Sequence, residues 1–552
     1  MKKTSFLLLS FLLICFSLIA QQSAKDKEAS QIHTKPKLVV GIVVDQMRHD
    51  YLNRFWDRYG DDGFKRMISN GYIMKNAHYN YVPTYTAPGH SSVYTGTSPR
   101  FHGIISNNWY DKTIDESVYC AGDDEVHPIG TDSDAGKMSP HRLLATTVTD
   151  QNRIATQFRG KTIGVALKDR GAIMPAGHSA NGAYWFRGKD EGNFITSSYY
   201  MDELPAWAKK FNDSRKIDEY LKTWETLYPI DTYVESGEDL NDFEQGFKGK
   251  KTATFPYDIK KLSKETGKYD LIYSTPFGNN ITTDFALAAI DGEELGQDDV
   301  TDFLTVSYSS PDYIGHNFGV NSKEVQDNYL RLDQDIARLL KELDKKVGEG
   351  NYTVFLTADH AAVNVPSYLK SKNVKAGYFS SGDLRKELDS LVEKKFGDAK
   401  LIANMSNRQI FFNYDLLEEK DIKAQELAET LQHFLVNYPK VAQAYTRSGI
   451  ESSSYTGLIA NKVKNGFNPK RSGDVVYELE PALISYSSKG STHGSAYRYD
   501  THIPMIFFGQ GINNGQSTKE AEIIDIAPTI SALLGIAFPN ASYGKVLSEV
   551  ID

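Results

Sequence analysis

The segment Lys37-Leu-Val-Val-Gly-Ile-Val-Val-Asp45 decides the fold, because it is a continuous apolar run, rich in β-branched residues, that ends in a carboxylate. Two later segments have the same form. Residues 303–308 are followed by Ser-Ser-Pro-Asp312, and residues 352–357 are followed by Ala-Asp359. Runs of this kind are typical of parallel strands in a sheet that is covered on both faces. The sequence therefore predicts three buried strands, each followed by an aspartate.

A helix is predicted between the second and third of these strands. Apolar side chains recur there at helical spacing until Gly348 interrupts the pattern. Strand, helix and strand together form one unit of an open α/β sheet, in which the carboxyl ends of the strands form the ligand crevice. The residues that carry the helical period are Val325, Tyr329, Leu332, Ile336, Leu339 and Leu343.

Histidines accompany two of the three strand-terminal aspartates. Asp312 and His316 are four residues apart in Asp-Tyr-Ile-Gly-His; with Ser310 as a helix cap and Pro311 at the first position, they share one helix face. His360 follows Asp359 directly, and His493 lies in a loop of small residues. A mixed set of imidazoles and carboxylates suits zinc better than calcium or magnesium, with manganese and iron left open. A purely structural alternative is that each aspartate caps the next helix.

A hydroxyl nucleophile is predicted at Thr86, in Pro83-Thr-Tyr-Thr-Ala-Pro-Gly-His90. The threonine is expected just before a helix start, where free N–H groups and the helix dipole favour an anion. A metal ion beside such a hydroxyl would lower its pKa and hold it as an alkoxide. Read alone, the same threonine would be a helix cap.

These segments resemble the alkaline phosphatase superfamily, and most closely the phosphate-insensitive bacterial alkaline phosphatases with a threonine nucleophile. The resemblance extends from Lys37 to Gly535. It implies a three-layer α/β/α sandwich with a mostly parallel central sheet and cap insertions. The segments that carry it are 44–48 (Val-Asp-Gln-Met-Arg), 86–90 (Thr-Ala-Pro-Gly-His), 168–170 (Lys-Asp-Arg), 312–316, 358–360 (Ala-Asp-His), 492–493 (Thr-His) and 525–535.

The resemblance also assigns roles to individual residues. It implies two Zn²⁺ per chain and two-step phosphoryl transfer through a covalent phosphothreonine at Thr86. It further implies that Asn107, Lys168 and Arg170 contact the non-bridging phosphate oxygens; read alone, Lys168-Asp169-Arg170 would be a solvated turn. One zinc would be held by Asp45, Asp359 and His360 and would also bind the Thr86 oxygen, and the other, facing the leaving group, would be held by Asp312, His316 and His493.

The N-terminus predicts export. Lys2 and Lys3 precede an apolar run from Phe6 to Ala20, which is the layout of a signal peptide and is short for a membrane span. A lipoprotein anchor through Cys15 and an uncleaved anchor are the alternatives. The expected organisation is a signal peptide at 1–20, a flexible segment at 21–36 and one discontinuous catalytic domain at 37–552, with insertions at about 180–300 and 370–485. Removal of the leader would leave Cys120 as the one cysteine, so no internal disulfide is expected.

The composition limits the partners. A net charge of −9 with mixed signs gives no basic footprint, so no nucleic acid partner is expected. The expected substrates are small phosphate monoesters, and the expected location is the periplasm or the exterior, with no stable membrane insertion after leader removal. The sequence does not fix the oligomeric state.

Three rival functions fit parts of the pattern. A phosphodiesterase or nucleotide pyrophosphatase would share the zinc ligands and the threonine, but it would favour an apolar pocket over the pair Lys168 and Arg170. A sulfatase would need Cys or Ser at position 86, because its nucleophile is a formylglycine. A non-catalytic exported phosphate-binding protein would use the same residues without turnover.

Overall fold

The structure is a computed structural model that describes residues 35–551. The predicted signal peptide at 1–20 lies outside the described residues, as does nearly all of the predicted flexible segment at 21–36.

An eleven-stranded mixed sheet forms the centre of the described chain. Its order is β13-β2-β14-β8-β1-β7-β4-β5-β6-β3, and β15 pairs with β2 on the other side of that strand. The five central strands β8, β1, β7, β4 and β5 run parallel, whereas β6 and β14 join them antiparallel. The strands are Leu38–Val44 (β1), Tyr72–His78 (β2), Pro128–Ile129 (β3), Thr162–Ala166 (β4), Gly182–Arg187 (β5), Asn193–Ser197 (β6), Asp302–Tyr308 (β7), Tyr352–Thr357 (β8), His502–Ile503 (β13), Met505–Gly509 (β14) and Gly515–Glu522 (β15).

The three predicted strands are confirmed as β1, β7 and β8, and all three are buried along their whole length. They are immediate neighbours, in the order β8, β1, β7, so Asp45 and Asp359 follow adjacent parallel strands. Burial of every residue means that both faces of these strands are covered, as the continuous apolar runs predict. The α/β fold with a mostly parallel central sheet is therefore confirmed.

Two groups of helices cover the sheet. The first contains α1, α2, α3 and α11, and the second contains α5, α6 and α7. The predicted helix between β7 and β8 is confirmed as α7, whose six periodic apolar residues are all buried. The helices of eight residues or more are Thr86–Thr95 (α1), Val148–Ala155 (α2), Asp169–Ala176 (α3), Ala206–Asp213 (α4), Phe277–Gly292 (α5), Ser310–Phe318 (α6), Lys323–Leu343 (α7), Ser381–Phe396 (α8), Ala424–Val436 (α9), Leu458–Gly466 (α10) and Ile526–Leu534 (α11).

The two expected insertions differ in structure. Within 180–300, β5 and β6 belong to the central sheet, α5 packs on β7, and the residues between β6 and α5 contribute Ile217, Trp224 and Tyr257 to the main apolar core. Within 370–485, a separate four-stranded sheet has its own apolar core with α8 and α9. Its order is β9-β10-β12-β11, with strands Ile402–Ser406 (β9), Gln409–Phe412 (β10), Val441–Thr446 (β11) and Val475–Leu479 (β12).

No helix within residues 35–551 combines the length and apolar character that crossing a bilayer requires.

Candidate active site

The ends of β1 and β8 bring two aspartates into one crevice. Asp45 follows β1, and its N–H donates to the Tyr308 carbonyl at the end of β7 (3.0 Å). The next residue, Gln46, takes a left-handed backbone conformation (φ 66°), and its N–H donates to Asp359 Oδ1 (3.0 Å). The turn after β1 is therefore tied to the residue that follows β8.

His360 completes the first group of candidate ligands, here called site A (Asp45, Asp359 and His360). His360 Nε2 lies 3.5 Å from Asp45 Oδ1 and 3.6 Å from Asp359 Oδ2, and all three side chains are fully buried. These three atoms are buried without a hydrogen-bond partner anywhere in residues 35–551. Unpartnered carboxylate oxygens of two aspartates, both close to one unpartnered imidazole nitrogen, are suited to a cation.

A second group, here called site B, consists of Asp312, His316 and His493. Asp312 Oδ1 lies 3.2 Å from His316 Nε2 and 3.7 Å from His493 Nε2. The two sites adjoin, because the rings of His360 and His493 stack with their centroids 3.5 Å apart. One ligand atom each of Asp312, Asp45 and His360 lie within 4.8 Å of one another, so these three residues could also share one ion.

Each of the three histidines is oriented by a backbone carbonyl. His316 Nδ1 donates to the Ser491 carbonyl (2.8 Å), and His493 Nδ1 donates to the Thr84 carbonyl (2.7 Å). His360 Nδ1 donates to the Ala361 carbonyl (3.1 Å). A carbonyl can only accept, so Nδ1 carries the hydrogen and Nε2 is left as the electron-pair donor beside the carboxylates.

Burial shapes the charge state of both sites. It lowers the pKa of His360 to about 3 and lowers the pKa of His493 well below its ordinary value. Burial, followed by repulsion from Asp45, raises the pKa of Asp359 well above its ordinary value. At His316, by contrast, the Asp312 carboxylate raises the pKa in spite of burial. Neutral imidazoles beside crowded carboxylates, as at His360 and His493, are the state in which these residue types bind a metal ion. The described residues therefore contain groups that can hold metal ions.

Lys168 lies between the two sites. Its Nζ donates to Asp45 Oδ2 of site A and to Asp312 Oδ2 of site B, each at 2.6 Å. These two carboxylates raise the pKa of Lys168 in spite of its burial. Gln46 makes a parallel link, because its Nε2 donates to Asp312 Oδ1 (2.6 Å) while its backbone binds Asp359.

Thr86 is the first residue of α1 and is 1% exposed. The prediction of a position just before the helix is therefore wrong by one residue. Its neighbours contact both sites. Two residues earlier, the Thr84 carbonyl accepts from His493, and four residues later His90 Nδ1 lies 3.4 Å from Asp359 Oδ2. The amino end of α1 is thus packed between site A and site B.

The other predicted phosphate contacts lie around the same helix end. Asn107 Oδ1 accepts from the N–H of Ala87, next to Thr86 (2.8 Å). Arg170 Nη1 donates to the Tyr119 hydroxyl (3.1 Å), while its Nε is buried with no hydrogen-bond partner among residues 35–551. Lys168 and Arg170 do not form the solvated turn of the structural alternative, because Lys168 is buried and paired.

Sequence reasoning missed three residues of this region and misassigned a fourth. Gln46 and His90 stand inside the recognised segments 44–48 and 86–90, and Tyr119 lies in no motif. These three residues act through contacts with residues far apart in the chain, so no local sequence pattern could identify them. The predicted cap Ser310 is also wrong: α6 begins at Ser310, its preceding residue is Ser309, and Asp312 and His316 keep their one-turn spacing.

Comparisons with known proteins fit this geometry. Residues 39–502 match the family described as type I phosphodiesterase / nucleotide pyrophosphatase. The chain is 47% identical to alkaline phosphatase PafA of Elizabethkingia meningoseptica, over 94% of this chain and 95% of that one. It is also 47% identical to a Myroides odoratus protein named calcium-transporting ATPase, over 95% and 96% of the two chains.

A crystal structure of wild-type PafA superimposes with a TM-score of 0.91 at 46% identity, covering 94% of this chain and 99% of that one. A second crystal structure, with the same TM-score, is a PafA variant in which one threonine, one asparagine, one lysine and one arginine are replaced. The chain therefore belongs to the type I phosphodiesterase / nucleotide pyrophosphatase family and, within the alkaline phosphatase superfamily, to the PafA-type alkaline phosphatases.

Proposed function

We propose that this alkaline phosphatase hydrolyses phosphate monoesters in two steps, with Thr86 as the nucleophile and two Zn²⁺ per chain. The observation that carries the proposal is the convergence of three unpartnered, fully buried ligand atoms of Asp45, Asp359 and His360 beside the helix that begins with Thr86. Lys168, which pairs with Asp45, is the one lysine or arginine among the described residues that forms an ion pair with a carboxylate of site A.

The donor set favours zinc at both sites. Site A offers one imidazole nitrogen and two carboxylates, and site B offers two imidazole nitrogens and one carboxylate. Three protein ligands with room for a further group are typical of catalytic zinc, whereas calcium and magnesium prefer oxygen-only shells. When bound, the ions would lower the pKa of the Thr86 hydroxyl and offset the charge that develops on the leaving oxygen.

The chain's own residues then account for both steps. Thr86 Oγ1 releases its proton to solvent and attacks phosphorus, the phosphorus–oxygen ester bond breaks, and the alcohol departs with a proton from solvent. A water molecule then attacks the phosphothreonine, releases inorganic phosphate and returns a proton to Thr86. Asn107, Lys168 and Arg170 would contact the non-bridging oxygens, and the unpartnered Nε of Arg170 supports this role.

The related PafA variant supports the same set. Its replaced residue types are threonine, asparagine, lysine and arginine, which are the types at Thr86, Asn107, Lys168 and Arg170. These four positions lie on or beside the amino ends of α1 and α3, where free N–H groups also favour an anion.

The rival function is phosphodiester hydrolysis, which the family description also names. A monoester dianion carries more charge on its non-bridging oxygens than a diester, and the cations Lys168 and Arg170 match that charge. Comparison of kcat/KM for an aryl phosphate and its methyl diester distinguishes monoester from diester hydrolysis. We expect a large preference for the monoester, and equal or reversed rates would contradict the proposal.

Replacement of the nucleophile tests the mechanism itself. Thr86→Ala is expected to abolish multiple turnovers while the protein retains two zinc ions per chain, because three ligands remain at each site. Ser91→Ala is the matched control: its hydroxyl is on the same helix, and the variant should keep full activity. Steady-state turnover by Thr86→Ala would refute Thr86 as the nucleophile, and loss of zinc in that variant would make the loss of activity uninformative about attack.

We also propose that the enzyme is exported to the periplasm. The support is the charged and apolar leader pattern at residues 1–20. N-terminal sequencing of protein recovered from a periplasmic extract is expected to begin near Gln21, and recovery of the intact leader in the cytoplasm would contradict export.

A further inference from the structure

A cavity of about 240 Å³, here called the side cavity, adjoins site B. It is lined by His493 of site B and by Tyr85, the residue before Thr86. The rings of His493 and Tyr85 stand edge to face, with centroids 5.5 Å apart. Ser381 and Ser485 also line the side cavity and are exposed, so it opens to solvent. The side cavity is therefore a space beside the nucleophile that part of a substrate can enter.

The inserted four-stranded sheet supplies one wall of the side cavity. Asn407 and Arg408 form the two-residue turn between β9 and β10, and both take left-handed backbone conformations (φ 53° and 58°). Two such residues in succession are typical of a tight hairpin turn. The turn brings two polar side chains to the cavity. The lining residues from this sheet and its turn are Met405, Ser406, Asn407, Arg408, Tyr477 and Leu479.

The turn contacts both halves of the catalytic site. Asn407 Nδ2 donates to the Asn108 carbonyl (2.7 Å), one residue after a proposed phosphate contact. Arg408 Nη1 donates to the Gly494 carbonyl (3.4 Å), one residue after a histidine of site B. These bonds hold the turn beside the phosphate contacts and beside the metal ligands proposed to face the leaving group.

Part of the hydrogen-bonding capacity of the turn is unused. The side chain of Asn407 bonds through Nδ2 alone, so no residue within 35–551 donates to its Oδ1. Arg408 bonds through Nη1 alone, to the Gly494 carbonyl and to Glu478 Oε2 (2.9 Å), which leaves its Nε and Nη2 without a partner in the same range. A hydroxyl group both donates and accepts. A free amide oxygen and free guanidinium N–H groups on one turn therefore match the hydroxyls of an alcohol.

The charge and size of the side cavity favour a small neutral group. The guanidinium of Arg408 is already paired with the buried carboxylate of Glu478, so an anionic leaving group would meet a balanced charge. Phe379 and Tyr477 add aromatic surface, on which the C–H groups of a ring can pack. The volume of about 240 Å³ is below the range of about 300–1,000 Å³ for pockets that hold drug-sized ligands, so a single ring is the expected occupant.

We propose that the side cavity binds the alcohol part of the substrate and favours a polyhydroxylated alcohol of the size of a monosaccharide. The inference rests on the proposed function, in which site B faces the leaving oxygen. Asn407 Oδ1 accepts from a hydroxyl of the leaving group, and Arg408 donates to one. The inserted sheet thereby selects the alcohol, while the residues around the amino ends of α1 and α3 bind the phosphate.

Three substrates of the full-length, zinc-loaded enzyme test the proposal. Methyl phosphate has no group that extends into the side cavity, glucose 6-phosphate carries a sugar ring, and cyclohexylmethyl phosphate carries an apolar ring of similar size. We expect kcat/KM to be highest for glucose 6-phosphate and about tenfold lower for cyclohexylmethyl phosphate, because the apolar ring leaves the polar groups of the turn unpaired. Hydrolysis of all three without preference for the sugar ester would overturn this inference alone. Failure to hydrolyse any of them would contradict the proposed function and this inference with it.

Two variants of the turn assign the preference to its side chains. Arg408→Lys keeps a cation beside Glu478 but removes the planar set of N–H donors, and Asn407→Gly keeps the left-handed conformation but removes the amide. Each should lower the ratio of kcat/KM for glucose 6-phosphate to kcat/KM for methyl phosphate by about three- to tenfold, the effect of losing one hydrogen bond.

The ratio makes the result independent of the fraction of folded enzyme, and a disturbance of the metal ligands would lower both of its rate constants together. Asn373→Gly is the matched control, because Asn373 is an exposed asparagine outside the side cavity with the same left-handed conformation (φ 59°). Its ratio should equal that of the wild type. An unchanged ratio in both turn variants, or an equal fall in the control, would overturn the proposal.

Discussion

Two clusters of three histidines lie within residues 35–551, and they differ in what surrounds the rings. In the crevice, His316, His360 and His493 each present Nε2 to a carboxylate. At the edge of the sheet, a second cluster, here called the edge stack, consists of His49, His502 and His78. Its rings lie against one another with centroids 4.5 and 4.7 Å apart.

The edge stack has no comparable carboxylates. His78 Nε2 lies 3.1 Å from Arg498 Nη2, and His502 Nε2 donates to the Lys75 carbonyl (3.0 Å). No ion pair joins any of the three rings to an acid within residues 35–551, and neither of the two candidate metal groups found there includes them. Histidine therefore has two roles in this protein. Where a carboxylate lies beside Nε2 the ring is a candidate metal ligand, and where none does the ring is a packing element.

The largest expected effect comes from removing a carboxylate of site A. Asp359→Asn keeps the shape but removes the charge that would balance a cation in a fully buried position. We expect kcat/KM for an aryl phosphate to fall by about 10³-fold or more and zinc content to fall toward one ion per chain. His316→Ala, in the more open site B, should also lose activity but recover part of it in excess zinc. Full zinc content in Asp359→Asn would contradict the assignment of site A.

Removal of the cation between the two sites should have a smaller effect. Lys168→Ala deletes a charge that contacts one carboxylate of each site and that is proposed to bind phosphate. We expect a loss of about 10²- to 10³-fold in kcat/KM for the monoester and a clearly smaller loss for the methyl diester, measured with zinc content held at two ions. Lys189→Ala, an exposed lysine between β5 and β6, is the control. Equal losses for both substrates would show that Lys168 acts on the metal sites and not on the phosphate charge.

The sequence was most informative about functional residues that directly follow a predicted strand or share one face of a predicted helix. Asp45, Asp312 and Asp359 could be recognised because each follows a buried β-branched run, and His316 because it is one helical turn from Asp312. Gln46, His90 and Tyr119 could not be recognised, because their contacts depend on the order of strands and on how α1 packs. The antiparallel strands β6 and β14, which flank the five parallel strands, were also not predicted. Their direction depends on how connections between strands turn the chain, and no local sequence pattern records this. The roles of Asn107, Lys168 and Arg170 came only from the family resemblance.

Replacement of a ring in the edge stack should leave catalysis intact. His78→Gln removes an imidazole that has no carboxylate partner, so we expect zinc content to stay at two ions per chain and kcat/KM to change by less than about twofold, as for substitutions away from a site. Metal analysis and steady-state kinetics on the same preparation check this. Loss of one zinc ion would mean that the edge stack, and not the crevice, holds one of the metals.

The same variant should alter the pH dependence of stability. Burial, followed by repulsion from His502, lowers the pKa of His78 to about 3, and burial lowers the pKa of His49 to about 4. Between these lowered pKa values and the ordinary histidine pKa of about 6.5, both imidazoles are protonated in the unfolded chain but not in the folded one. Their contribution to the free energy of unfolding is therefore fully present above pH 6.5 and is lost as the pH falls. The Tm of the wild type should therefore fall between pH 6.5 and pH 5. The Tm of His78→Gln should fall less over the same range, because this variant takes up about one proton fewer on unfolding. A slope unchanged by the substitution would mean that the rings of the edge stack accept protons in the folded state, as exposed histidines do.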